Sequence, residues 1–175
     1  EERMAKMVLD YKAKLSSIER GEDFYTTSDG FIKVKRSYLD ANFMHGAFMD
    51  DDIFFAMEDN EGYITLTKEQ FDNMHTRKQE YEQRQEKLFK TAELNNIGME
   101  QEKTGNIEQA VTTYEECIKT GYPASHAYDR LLVIYRKRND YENEKRVCLL
   151  AIDAFKTETK CQDRLAKINA LMSSK

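Results

Sequence analysis

Three kinds of side chain in this sequence could do chemistry: thiols, histidine beside carboxylate, and clustered acids. The thiols are Cys117, Cys148 and Cys161. An odd, widely spaced set does not make a disulfide framework and fits a reducing compartment such as the cytoplasm. Zinc would need closer ligand spacing and more histidine nearby. Cys117 and Cys148 lie on apolar stripes, so small core residues is one reading and a reactive thiol the other. His45 precedes Asp50-Asp51-Asp52. Such a set can hold a divalent cation, although a solvated acidic loop is the commoner use. Asp59-Asn60-Glu61-Gly62 resembles part of a calcium loop. With Gly62 at the sixth position, however, Met57 and Lys68 fall where oxygen ligands are required. His75 and His126 have no serine, cysteine or acid at a spacing that suggests nucleophilic catalysis. Gly98 and Gly105 read as packing and turn glycines, not a phosphate loop. The expectation is a chain with no catalytic residues, no metal and no cofactor.

The elements that carry these residues are mostly helical. Met4, Val8, Tyr11, Leu15 and Ile18 recur at alternating spacings of four and three, which predicts an amphipathic helix ending near Gly21. Ser28-Asp29-Gly30 between Phe24–Thr27 and Phe31–Lys35 predicts a β-hairpin. A short helix follows Ser37. The run Ile53–Met57 and the segment Tyr63–Leu66 predict a second hairpin around Asp59–Gly62. Phe43, Met44, Phe48 and Met49 are read either as core of this N-terminal region or as an adaptable contact patch.

Thr67 and Gln70 make a capping box, and no Pro or Gly occurs from Lys68 to Ile97. This predicts one long helix running to about Thr104, with Phe71 and Met74 anchoring one end and Leu88, Phe89 and Ala92 the other. Tyr81, alone in its polar middle, should meet the first helix or a second copy, making a homodimer through the linking helix one option.

Net charge is −5, with a pI near 5.4, which argues against general nucleic-acid or membrane binding. No apolar run approaches a membrane span. No signal peptide is visible, and an opening Glu1 in place of Met suggests a fragment or a trimmed chain.

From Thr91 to Glu158 one pattern of about 34 residues occurs twice. Leu94 aligns with Tyr128, Ile97 with Leu131, Gly98 with Leu132, Ala110 with Glu144, Tyr114 with Cys148 and Cys117 with Ala151. A period of this size marks helical hairpins that stack because one alone cannot bury its apolar face. Asn96-Ile97-Gly98, Gly105-Asn106, Ala110, Tyr114 and Pro123 together resemble the tetratricopeptide repeat (TPR) family. In the second copy Tyr135 and Asn139-Asp140-Tyr141 match, whereas Leu132 and Glu144 depart and suggest looser packing. The resemblance covers about 68 residues. Cys161, Leu165, Ile168, Leu171 and Met172 then form a closing helix.

The expected fold is mainly α. It has a small α+β region (1–66), a linking helix (67–90), and two TPR-like repeats with a capping helix (91–175). The resemblance implies a concave face formed by the first helix of each repeat. Its positions here are Ala92, Asn95, Met99, Glu102, His126, Asp129, Val133 and Arg136. Asn95 matches one position of the family's carboxylate clamp, but Met99, Asp129 and Val133 do not, so the clamp is not carried over. The implied function is a non-enzymatic adaptor for a protein or peptide partner. A regulatory domain of a larger enzyme or machine, or a self-associating structural protein, are the alternatives. If the alignment holds, Ala110 packs closely on the first helix of its repeat. Ala110→Leu should then cost about 1–3 kcal/mol by overpacking, measured as a lowered melting temperature.

Overall fold

The computed structural model describes residues 2–43, 48–156 and 159–173. The chain divides into two compact units, Glu1–Glu82 and Gln83–Lys175.

The first unit opens with helix α1 (Glu2–Glu19), which ends at Gly21, where φ is +69°. Strands β1 (Phe24–Thr26) and β2 (Ile32–Lys35) form the expected hairpin, with Phe24 opposite Val34. Gly30 takes φ +85° in its turn, a backbone state that glycine enters without steric cost. Helix α2 (Arg36–Phe43) follows β2 directly.

The second hairpin does not form as expected. The acids at 50–52 precede the apolar run, and acids stabilise a helix N-terminus. Asp51–Phe54 is accordingly a short helix, α3, whose one buried residue is Ile53. Strand β3 (Tyr63–Leu66) pairs instead with β2, antiparallel, Val34 opposite Ile64. The sheet order is β1-β2-β3. Asp59 shapes the turn into β3 by accepting the Glu61 and Tyr63 amides at 3.1 and 3.0 Å and Lys33 Nζ at 2.7 Å.

The apolar face of this sheet and the surrounding helices bury Ile32, Val34, Leu39, Phe43, Phe48, Ile53, Ile64, Leu66, Phe71 and Met74. Phe43 and Phe48 thus face inward, and Met49 is half-buried against them, so these three are core and not a contact patch. Met44 and His45 lie outside the described residues. The nearby acids are taken up within the unit. Asp50 accepts both Arg77 amino groups at 2.7 and 3.1 Å, and Asp52 accepts the Gln70 side-chain amide at 2.7 Å.

Helix α4 (Lys68–Lys103) is unbroken, and the division between units falls within it. Its start is the expected capping box: Gln70 N donates to Thr67 Oγ1 at 3.1 Å and Thr67 N to Gln70 Oε1 at 2.8 Å. Phe71 and Met74 are buried in the first unit. His75 lies between Phe43 and Phe71, with ring centroids 4.9 and 4.4 Å away. Burial, with nearby Lys78, holds its pKa below the usual histidine value. Tyr81 meets the edge of Phe48 at 5.4 Å, not α1, which packs on β1. At the other end the anchors are Thr91 and Leu94; Phe89 and Ala92 point to solvent. The polar stretch shifts the helix's inward stripe, and Thr91 is held by its hydroxyl against Thr120 Oγ1 at 2.7 Å.

The second unit continues with α5 (Ile107–Lys119), α6 (Ser125–Lys137), α7 (Tyr141–Phe155) and α8 (Thr159–Ser173). Turns fall at Gly105, Gly121, Asn139 and Lys156, each with positive φ. Residues 157 and 158 lie outside the described set. No strand occurs in this unit among the described residues. One continuous core runs from Leu94 and Tyr114 through Leu131, Leu132 and Cys148 to Cys161 and Ile168.

Gly98 decides how the first repeat closes. A Cβ built there would stand 2.8 Å from Tyr114 Cδ1 and Cζ, inside any tolerable contact. In the second repeat the volumes are exchanged between the aligned positions. Leu132 replaces glycine, Cys148 replaces tyrosine, and both are buried. The departure expected to loosen packing is a swap of bulk from one helix to the other. Gly98→Leu should therefore destabilise by about 1–3 kcal/mol. Gly98→Leu with Tyr114→Cys, which copies the second repeat, should recover a substantial part in chemical denaturation.

Candidate functional site

The first helices of the repeats, the C-terminal part of α4 and all of α6, bring Asn96, Met99, Glu100, Glu102, Lys103, His126 and Arg130 around an open groove of about 670 Å³. Met99, Glu102 and His126 belong to the stripe expected from the sequence. Met99 is half-exposed and supplies the apolar contact surface. Glu102 lies across the groove from Arg130, which donates through Nε to Oε2 at 2.9 Å and through Nη2 to Oε1. The fork-on-carboxylate geometry gives two parallel charge-assisted bonds and links α4 to α6.

Tyr114 completes the arrangement from below. Its ring lies under Gly98, its hydroxyl donates to Glu102 Oε2 at 3.1 Å, and its edge meets His126 at 5.9 Å. Arg130's hydrogen bonds, with help from the Tyr114 hydroxyl, hold the Glu102 carboxyl below its usual range despite partial burial. Burial first, and the hydrogen bond to Glu102 second, push the Tyr114 hydroxyl up to about 12. Glu102 is thus a fixed anion and Tyr114 a fixed donor at any physiological pH. Among the described residues, His126 Nε2 and Asn95 Oδ1 are buried without a hydrogen-bond partner.

The other expected positions do not line this groove. Asp129 is exposed and Val133 half-buried farther along α6. Arg136 is engaged elsewhere: its Nε donates to Glu144 Oε2 at 2.7 Å. Arg164 of α8 donates to the other carboxylate oxygen at 2.5 Å and to the Leu132 carbonyl at 2.7 Å. Glu144 is fully buried at the position where the first repeat has Ala110. An isolated buried carboxylate would be costly; two arginines make it tenable.

Arg130, Asn96, Glu100 and Lys103 were missed from sequence. Arg130 is one turn beyond His126 on the same face, and Asn96, Met99/Glu100 and Lys103 follow a spacing of three and four. That spacing was the available signal.

The three cysteines are buried and none is in a disulfide. Burial pushes the Cys117 thiol up to about 11, far from a reactive thiolate at neutral pH. Among the described residues no group of three or more histidine, cysteine or acidic side chains could hold a metal ion, and no helix is long and apolar enough to cross a membrane.

A family model described as tetratricopeptide repeat matches residues 94–120, which span the end of α4, the Gly105 turn, and α5. The matched segment is similar to a tetratricopeptide repeat, and stacked helices follow it; a small α+β unit comes before it in the chain. No curated protein and no solved structure matches the chain. Tetratricopeptide repeats are, as a class, protein–protein interaction modules.

The Glu144 cluster supports the helices behind the groove. Arg136→Ala with Arg164→Ala should cost about 3–5 kcal/mol, because the buried carboxylate loses its counter-charges. Adding Glu144→Ala should restore more than half of that loss, read as the shift in denaturation midpoint.

Proposed function

We propose that this chain is a non-enzymatic adaptor whose repeat unit docks a peptide or a segment of a partner protein in the groove between α4 and α6. The supporting observation is the character of the groove. Half-exposed Met99 offers adaptable apolar contact beside a fixed Glu102–Arg130 pair and a buried polar atom without a partner, His126 Nε2. A partner backbone that crosses this surface would satisfy His126 while covering Met99. Asn96 and Lys103 would flank it, and Asp129 and Val133 would extend the contact along α6. The net charge of −5 speaks against nucleic acid as the partner. Three buried thiols without a disulfide suit work in the cytoplasm.

Site-specific photo-cross-linking tests the proposal. A benzophenone side chain at Met99 or Asn96 should capture a discrete partner in source cells, and Met99→Glu should weaken binding of that partner by tenfold or more. A control probe at Leu149, exposed on α7, should capture little of it. Capture from Leu149 with none from Met99 would remove the groove from consideration.

A further inference from the structure

Helix α1 is mounted the opposite way from an ordinary amphipathic helix. It is held to its unit by its polar side. Ser17 is buried, Asp10 Oδ1 accepts the Ser28 amide at 2.7 Å, Lys6 pairs with Asp29 at 2.5 Å, and Lys14 with Glu61 at 2.6 Å. The apolar stripe faces solvent: Met4 is 66% exposed, Met7 59%, Val8 50%, Tyr11 60%, Leu15 42% and Ile18 50%. Scattered exposed apolar residues need no explanation, but a continuous helical stripe of six does.

We propose that this stripe is a self-association surface, pairing with the α1 stripe of a second copy as a short parallel coiled coil. The spacing of Met4, Val8, Tyr11, Leu15 and Ile18 is that of a heptad seam, with Val8 and Leu15 at one core position and Met4, Tyr11 and Ile18 at the other. Charge chooses the orientation. In the parallel pair, Lys14 of one copy flanks the partner's Glu19, twice by symmetry, and the aliphatic stem of Lys12 covers the partner's Met7. The antiparallel registers that keep four core layers set Lys12 against the partner's Lys12 or the partner's Ala5 and offer no opposite-charge pair. Lys14 would then be shared between Glu61 of its own chain and the partner's Glu19.

The exposed area of the six side chains is on the order of 600 Å² per copy, so a pair would bury roughly 1,200 Å² in total, the lower edge of specific interfaces. An interface of that size fits a reversible dimer. It is independent of the groove and of the partner proposed for it.

Sedimentation equilibrium of the full chain from low micromolar to near-millimolar concentration tests this. The chain should pass from monomer to dimer. Val8→Glu with Leu15→Glu should raise the dissociation constant at least tenfold. Because both positions are exposed, the melting curve at low concentration should not move. Glu19→Lys should weaken the dimer severalfold. Val8→Cys and Leu15→Cys, each alone, should give disulfide-linked dimers under mild oxidation, since equivalent core positions meet only in the parallel arrangement. A monomer at every concentration overturns the proposal, as does a dimer indifferent to the two glutamates. A monomer that binds anionic vesicles through this stripe also overturns it, in favour of a membrane surface.

Discussion

The missing side chain at Gly98 is the constraint on which the repeat unit depends. With no Cβ in the way, the Tyr114 ring can lie against α4. Only from there does its hydroxyl reach Glu102, and Glu102 in turn receives the Arg130 fork from α6. One absent methyl therefore sets the approach of α5 to α4 and positions the polar pair joining the first helices of successive repeats. The groove is a by-product of that packing, because the same bonds that hold the helices together fix its charge pattern.

The second repeat reaches a similar shape by other means. Bulk moves from the second helix to the first: Cys148 stands where the first repeat has Tyr114, and Leu132 where it has Gly98. A small apolar position becomes a buried carboxylate braced by two arginines. Close packing requires that volumes sum correctly across an interface, not that each position keep its size. Pairwise reading of the two copies is needed to see this.

Much of the architecture was legible in the residues. The heptad spacing of α1, the Asp-Gly hairpin, the Thr67–Gln70 box and the repeat turns all act locally, over a few residues, and local signals survive without tertiary context. The error at Ile53–Met57 has the same origin. A short apolar run carries no period, and the three preceding acids, which tip it into a helical turn, were read as a loop. The shift of α4's anchors to Thr91 and Leu94 and the engagement of Arg136 by Glu144 were not legible. Each depends on a partner far along the chain. For the groove, Met99, Glu102 and His126 follow from the stripe of the first helices, whereas the role of Arg130 rests on an acid that lies on another helix.

Buried Glu144 carries a consequence for how this array can grow. In a repeat protein whose junctions are alike, modules can be duplicated or deleted, since every module offers its neighbour the same surface. Here α7 presents a carboxylate that needs a cation from the helix behind it, and α8 supplies one in Arg164. A generic module inserted between α7 and α8 would bring no such cation and would strand the charge. The junction between α7 and α8 is addressed to one particular neighbour, so inserting a module there by duplication requires that Glu144 change first.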